Sequence, residues 1–203
     1  IYILQMRNIN KMNIRINSYI PITKVEGVGA RFAIWVQGCS IRCEGCANSH
    51  MWNFDGGTSY KICEFIEIIK SYKDRIEGIT WLGGEPTEQI QAVTEISKTV
   101  QEIGLSVILF TGYKYSNLKE NKDFQTLIKY VDILIDGEYE QEKTDYSRAW
   151  VGSSNQNYYF LTDRYSKSVI SEYKNKIEVR ITSENKVIMT GMGNFKELAK
   201  LVG

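Results

Sequence analysis

Proline, cysteine and histidine are all scarce: two, four and one among 203 residues. Two prolines beside 16 glycines exclude a collagenous or low-complexity chain. No run of about 18 apolar residues occurs, so nothing reads as a bilayer-spanning helix and no membrane partner is expected. An excess of one charge is missing too, since 25 Lys and Arg stand against 24 Asp and Glu, a formal net charge of +1. That balance supplies no bulk field for nucleic acid or an anionic membrane. The first 20 residues mix Arg7, Lys11 and Arg15 with asparagines and lack an apolar stretch, so they do not read as a secretory signal. Ile1 in place of Met reads as a start inside a longer gene product. What the chain does have is core material. It is 43% apolar and 12% aromatic, which excludes disorder, and its length suits one domain.

The few cysteines are placed informatively. Cys39, Cys43 and Cys46 fall within eight residues, and Cys63 stands alone. A disulfide framework spreads its cysteines to close loops, and three in one short turn cannot staple a fold. A reducing cytoplasmic setting and a metal or cluster site are the better reading. Three thiolates at this spacing suit a [4Fe–4S] cube with one open iron. Zinc is the rival, with Cys39, Cys43, Cys46 and His50 as a Cys3His set. Cys63 reads as a buried small residue on the apolar side of a helix. With one cysteine left over, no second cluster can be built from this chain.

Apolar runs suited to buried strands occur at 32–36, 79–82, 106–110 and 131–135. Helical patterns lie between them. Residues 59–73 place Ile62, Phe65, Ile66 and Ile69 on one face, with Thr58 or Ser59 as the N-cap. Residues 87–103 carry an apolar stripe from Ile90 to Ile103, and Gly104 sits where a helix-ending glycine belongs. A shorter helix is expected over 124–130. Strands alternating with amphipathic helices indicate parallel βαβ units in an α/β fold. Runs at 177–182 and 186–190 read as a hairpin, 195–202 as a terminal helix, and 117–123 and 138–145 as exposed loops.

Glycine and polar motifs follow each strand run: Gly38 with the cysteine loop, Gly83-Gly84-Glu85-Pro86, Thr111-Gly112-Tyr113, and Asp136-Gly137. In parallel sheets ligands bind at the C-terminal strand ends, so the four motifs are expected on one rim.

Together these motifs resemble the radical S-adenosylmethionine (SAM) superfamily. More narrowly, the chain is similar to the activating enzymes of glycyl radical enzymes, the anaerobic ribonucleotide reductase type among them. The resembling segments begin with residues 26–31, 35–39 and 45–48 and Trp52. They continue through 83–86, 111–113, 131–137 and 152–156, so the likeness covers about 20–161. Val28 departs from the family's usual proline, and Ala47 from its frequent tyrosine. The resemblance implies a single radical SAM domain over 1–203, with 162–203 as a hairpin-and-helix extension. It implies a partial (β/α)6-type barrel with mainly parallel strands.

By the same resemblance, Cys39, Cys43 and Cys46 hold one [4Fe–4S] cluster. Gly83, Gly84 and Glu85 meet the methionine end of SAM, and backbone at Gly45, Cys46 and Ala47 borders it. Thr111, Asp136 and Asn155 are candidates for ribose and adenine contacts, each against the alternative of an ordinary turn residue. Glu85 has the alternative of capping the next helix. His50 is read as structural, and Trp35, Trp52, Trp81 and Trp150 as core or cluster-shielding residues. The implied activity is reductive SAM cleavage to a 5′-deoxyadenosyl radical that installs a glycyl radical on a partner enzyme. An electron donor of the flavodoxin or ferredoxin type is implied as well. Two alternatives remain open here: a radical SAM enzyme acting on a small molecule or peptide, and a non-catalytic zinc or electron-transfer module. For docking the partner, the loop 26–31, residues 48–57 and the stretch after Asp136 are expected to form an open rim. Arg31 is expected either to pair with the partner's loop or to tie down the first strand.

Overall fold

The computed structural model describes residues 11–194, so the helix expected over 195–202 lies outside the described residues. Its strands are β1 (Asn13–Thr23), β2 (Arg31–Val36), β3 (Thr58–Lys61), β4 (Gly78–Gly83), β5 (Ser106–Thr111), β6 (Ile133–Asp136), β7 (Asn157–Phe160), β8 (Ile177–Ile181) and β9 (Val187–Gly191). Seven of them form one sheet in the order β3-β1-β2-β4-β5-β6-β7, and β8 pairs with β9 alone. The centre of the sheet is parallel: β2 with β4, β4 with β5, and β5 with β6. Its flanks, β1 with β2 and β3, and β6 with β7, are antiparallel. The fold is thus mixed α/β with a mainly parallel central sheet. Among the described residues no helix is long and apolar enough to cross a membrane.

The central strands read as unbroken apolar runs because both faces are covered. Phe32, Ile34, Ile79, Trp81, Val107 and Leu109 point to one side. There they meet Phe65 and Ile69 of helix α1 (Ile62–Lys70) and Val93 and Ile96 of helix α2 (Ile90–Glu102). The alternate residues Ala33, Trp35, Leu82, Ile108, Ile133 and Ile135 face the other way. Residues 149–151 and Val169 cover part of that second face. Each large side chain fully removed from water here contributes about 1.5–3 kcal/mol.

Several local expectations change. Residues 58–61 are a strand rather than the first turn of α1, and the cap is Lys61, which makes no side-chain cap bond. Main-chain pairing with β1 (Asn13↔Lys61 to Ile16↔Thr58) outweighs the capping chemistry of Thr58 and Ser59. The helix also stops at Lys70, and Lys73–Arg75 is a separate 3-10 turn. Helix α2 starts at Ile90, after a 3-10 turn over Pro86–Gln89. Gly104 follows it at φ +88°, the left-handed conformation that favours glycine at a helix end. Short helices α3 (Tyr115–Leu118) and α4 (Lys122–Leu127) precede β6, with Asn121 capping α4. The hairpin forms as expected, turning through Asn185 at φ +60°.

Arg31 is tied into the protein and is not free for a partner. It lies at the start of β2, the end away from the cysteine loop. Its buried guanidinium donates to Thr80 Oγ1 at 3.1 Å, to the Ile79 carbonyl and to Ser106. Burial lowers its pKa to about 10. Glu26, Gly27 and Val28 are buried as well, so the loop 26–31 is packed rather than exposed as a docking rim.

Candidate functional site

The parallel register brings the C-terminal ends of β2, β4, β5 and β6 to one edge. The motifs that follow these strands meet in a cleft of about 170 Å³. Its walls include Cys39, Cys43, Cys46, Gly83, Gly84, Glu85, Thr111, Gly112 and Gly137.

The cysteine loop leaves β2 through Gly38, which has φ +96°. A Cβ there would lie 2.5 Å from the Phe54 ring. Gly38 N–H donates to the Met51 carbonyl at 2.8 Å and Cys39 N–H to the Trp52 carbonyl at 3.2 Å, so residues 51–52 clamp the start of the loop. Cys46 N–H closes a turn onto the Cys43 carbonyl at 3.2 Å, and Asn48 N–H donates to Cys46 Sγ at 3.4 Å. Cys39 is buried, Cys43 and Cys46 are half-buried, and all four cysteines are free thiols. Burial pushes the Cys39 and Cys43 thiols up. Backbone N–H groups of Arg42 and Ile41 at Cys39, and of Tyr139 at Cys43, act the other way. Donors aimed at sulfur are what a bound iron–sulfur cluster requires of its second layer.

The zinc arrangement is not assembled. His50 is exposed and lines a neighbouring cavity instead of the cleft. Among the described residues no three His, Cys, Asp or Glu side chains gather around a single-ion position. Cys63 sits half-buried on the flank of α1, beside rather than within its buried stripe.

At the β4 end, the two glycines are demanded by the neighbouring strand. A Cβ at Gly83 (φ +102°) would lie 2.5 Å from Val36 N, and one at Gly84 would lie 2.2 Å from the Gly38 carbonyl oxygen. Gly84 N–H donates to the Val36 carbonyl at 2.9 Å, and Glu85 N–H to the Gly38 carbonyl at 2.8 Å. The corner is therefore stitched to the base of the cysteine loop. Glu85 is buried, and burial raises its pKa. Its Oε1 accepts from Thr87 N–H, Thr87 Oγ1 and Thr111 Oγ1 at 3.0, 2.7 and 2.9 Å. Oε2 accepts from Gly112 N–H at 2.8 Å. Glu85 thus caps the 3-10 turn and also bolts the β4 corner to the β5 corner.

The remaining expected residues divide. Thr111 lies in the cleft wall. Asp136 is buried behind it, accepting from Tyr115 N–H at 2.6 Å and Asn157 Nδ2 at 3.0 Å. Asn155 donates to the Glu138 carbonyl at 2.8 Å, outside the cleft lining. Gly45 and Ala47 border an adjoining hollow reached past Cys46. The sequence assigns no cluster or SAM contact to Asn48, Tyr139, Gln156 or Met192, yet all four line the cleft. Gln156 ties the turn after β6 to residue 152: Nε2 donates to the Gly137 carbonyl at 3.0 Å, and Oε1 accepts from Gly152 N–H at 2.8 Å. Its place in the segment 152–156 was the available signal. Met192 arrives from the end of β9, and nothing in its local pattern marks it.

A family model described as a 4Fe-4S single cluster domain matches residues 25–159. The anaerobic ribonucleoside-triphosphate reductase-activating protein of Haemophilus influenzae is 33% identical over 146 residues, which are 68% of this chain and 92% of that protein. The protein of the same name from Enterobacteria phage T4 is 34% identical over 149 residues, 70% of this chain and 92% of its own. That from Escherichia coli K12 is 33% identical over 148 residues, 69% and 94%. The solved structure of QueE from Escherichia coli covers 53% of this chain and 55% of its own, at 16% identity and a TM-score of 0.43.

Proposed function

This chain belongs to the family of anaerobic ribonucleoside-triphosphate reductase-activating proteins, and from that premise and the cleft we propose how its residues serve the radical SAM activase reaction. The chain is a radical SAM enzyme that uses one [4Fe–4S] cluster and SAM. When bound, the cluster supplies one electron and an open iron, and cleavage of SAM leaves methionine and a 5′-deoxyadenosyl radical able to take hydrogen from a glycine.

In this reading Cys39, Cys43 and Cys46 hold the cluster. The single observation that carries it is that three thiols, each faced by at least one backbone N–H group, open onto the cleft containing the Gly83–Glu85 corner. Gly83 and Gly84 present bare backbone to the methionine end of SAM. A carboxylate oxygen accepts more than one hydrogen bond, so Oε2 of Glu85 retains capacity for the ammonium beside its bond to Gly112. Thr111 and the backbone of Gly45, Cys46 and Ala47 border the nucleoside. Asp136 and Asn155 act as positioning residues, Asp136 through Tyr115 and Asn157 and Asn155 through the Glu138 carbonyl. We read the four parallel strands and their helical crossovers as the core of a partial (β/α)6-type barrel. A flavodoxin or ferredoxin-type protein is the electron donor in this scheme.

The test mixes anaerobically reconstituted protein, SAM and dithionite with the glycyl radical subunit of an anaerobic ribonucleotide reductase. A glycyl radical doublet in paramagnetic resonance, with one 5′-deoxyadenosine per radical, is expected. No doublet, with 5′-deoxyadenosine formed on a peptide or nucleoside instead, would overturn the activase reading.

A further inference from the structure

A second cavity, of about 320 Å³, adjoins the cleft. The two spaces share Asn48, Leu82 and Met192 as walls. One side of the second cavity is the sheet, through Ile20, Trp35 and Leu82; the opposite side is residues 188–192, the β9 edge of the hairpin. Met192, together with Asn48 of the cysteine loop's exit, touches the cleft, this cavity and the hollow beside Gly45. Anything that reaches the cleft from this side passes the hairpin.

The hairpin lies outside the 25–159 segment that the family model matches. It is nevertheless seated on the body. Thr23 Oγ1 donates to Glu178 Oε2 at 2.8 Å, Arg180 donates to the Ile22 carbonyl, and Gly191 N–H donates to Glu26 Oε1 at 2.6 Å. Gly191 has φ +100°, and a Cβ on it would lie 2.0 Å from the Lys176 carbonyl oxygen just before β8 and 3.2 Å from Val25 Cβ of the body, so this end of the hairpin needs glycine. Within the cavity wall, Thr190 Oγ1 is buried without a hydrogen-bond partner, a polar group that a passing backbone would satisfy.

The outer face is the opposite of what an exposed hairpin usually shows. Cross-strand partners share a face, and the pairs Val179↔Met189 and Ile181↔Val187 make it apolar. Ile181 is 72% exposed, Val187 47% and Val179 40%. A contiguous apolar patch on a two-stranded ribbon marks an interaction surface.

We propose that the β8–β9 hairpin is this chain's partner-reading element. Its 188–192 edge walls the passage to the cleft, and its outer apolar face packs on the glycyl radical subunit whose loop enters that passage. The partner is chosen over other occupants because face and passage belong to one element, so a protein seated on the face has its loop directed toward the cleft. The inference rests on the activase reading above.

The test uses the full chain with its cluster, comparing the parent with Ile181→Asp and Val187→Asp. Both positions are exposed and far from the thiols in sequence, so iron content and SAM binding should match the parent. Affinity for the glycyl radical subunit, measured by anaerobic calorimetry, should fall at least tenfold, and the subunit concentration for half-maximal glycyl radical yield should rise by the same factor. Equal affinity and yield for parent and variants would overturn the hairpin's role while leaving the activase reading intact. A change from dimer to monomer with unaltered subunit binding would also overturn it, assigning the face to a second copy of this chain. A parent that gives no glycyl radical on any such subunit removes both readings.

Discussion

The cleft corner and the hairpin are built on different physical terms. At the cleft, backbone packs on backbone. Gly83 and Gly84 lie against β2 and Gly38, and Glu85 gathers four donors from two loops. The hairpin is seated by a few polar contacts on the end of β1 and on Glu26, and it leaves apolar side chains in water. Burial in a crowded, fully bonded corner makes geometry stiff and substitutions costly. A polar seat under an exposed ribbon leaves room for docking and for dependence on pH. The first arrangement suits a site that positions a reactive cofactor, and the second suits recognition.

The sharpest test of that contrast is the cysteine loop. Replacing Cys39, Cys43 or Cys46 with Ala should abolish cluster assembly and SAM cleavage, read as iron and sulfide content and 5′-deoxyadenosine. Two thiolates cannot hold a cube with a single open iron. Cys63→Ala should stay near the parent in both measurements. Full product formation by Cys43→Ala would remove that thiol from the ligand set.

Gly84→Val comes next. Its first new carbon would collide with the Gly38 carbonyl, so strain passes straight into the base of the cysteine loop. The expected cost is about 2–4 kcal/mol in unfolding free energy, together with reduced iron content. Normal stability and iron with weakened SAM binding alone would show that the corner yields locally and is not stiff.

Much of this architecture was legible beforehand, for a specific reason. The four parallel strands are buried on both faces, so they stand out as apolar runs, and the glycine-bearing turns after them mark one rim. β1 escaped because its register shifts between Ile16 and Ser18 and again between Ile20 and Thr23, which breaks the period-two alternation. β3 escaped because Thr58 and Ser59 read equally well as caps, and only pairing with β1 decides between the two. The motif of two glycines was visible, but its cause was not. The atoms that exclude a Cβ belong to β2 for Gly83 and to Gly38 for Gly84, dozens of residues away. Arg31 likewise reads equally well as a partner contact or a tie on the first strand until the polar groups around it, from Ile79, Thr80 and Ser106, are seen to enclose it. Met192 enters the site from a hairpin, through a contact no local pattern encodes.

Glu85→Ala should weaken SAM binding ten- to a hundred-fold, corresponding to about 1.5–3 kcal/mol for a lost charge-assisted contact. It should also lower the thermal midpoint, since Thr111 Oγ1 and the Thr87 and Gly112 N–H groups lose their acceptor. Glu85→Gln keeps an acceptor and should recover part of the midpoint but little of the affinity. If both variants bind SAM as the parent does, by titration of the cluster's resonance signal, Glu85 serves only as a bolt between loops.

The smallest effect belongs to the hairpin seat and has a definite sign. Burial raises the Glu26 pKa to about 7, opposed by the Gly191 N–H and reinforced by Glu178; His50 lines the same cavity. A carboxyl whose folded pKa lies above its unfolded value of about 4.3 favours the folded state fully below that lower value. Its contribution then declines as pH rises toward 7 and is lost above it. Between pH 5.5 and 7.5 the seat should weaken by about 2 kcal/mol. Asp145, held low by its bonds from Ser147 and Arg148, contributes with the opposite slope, so the reading must be local. Amide exchange at Gly191 and along β9, corrected for its intrinsic pH dependence, supplies that reading. Protection should fall between pH 5.5 and 7.5 in the parent and stay level in Glu26→Gln, whose neutral amide oxygen still accepts from Gly191 at every pH. The same slope in both proteins would mean that Glu26 does not govern the seat, and the hairpin would then be held by Thr23, Ile22 and their partners alone.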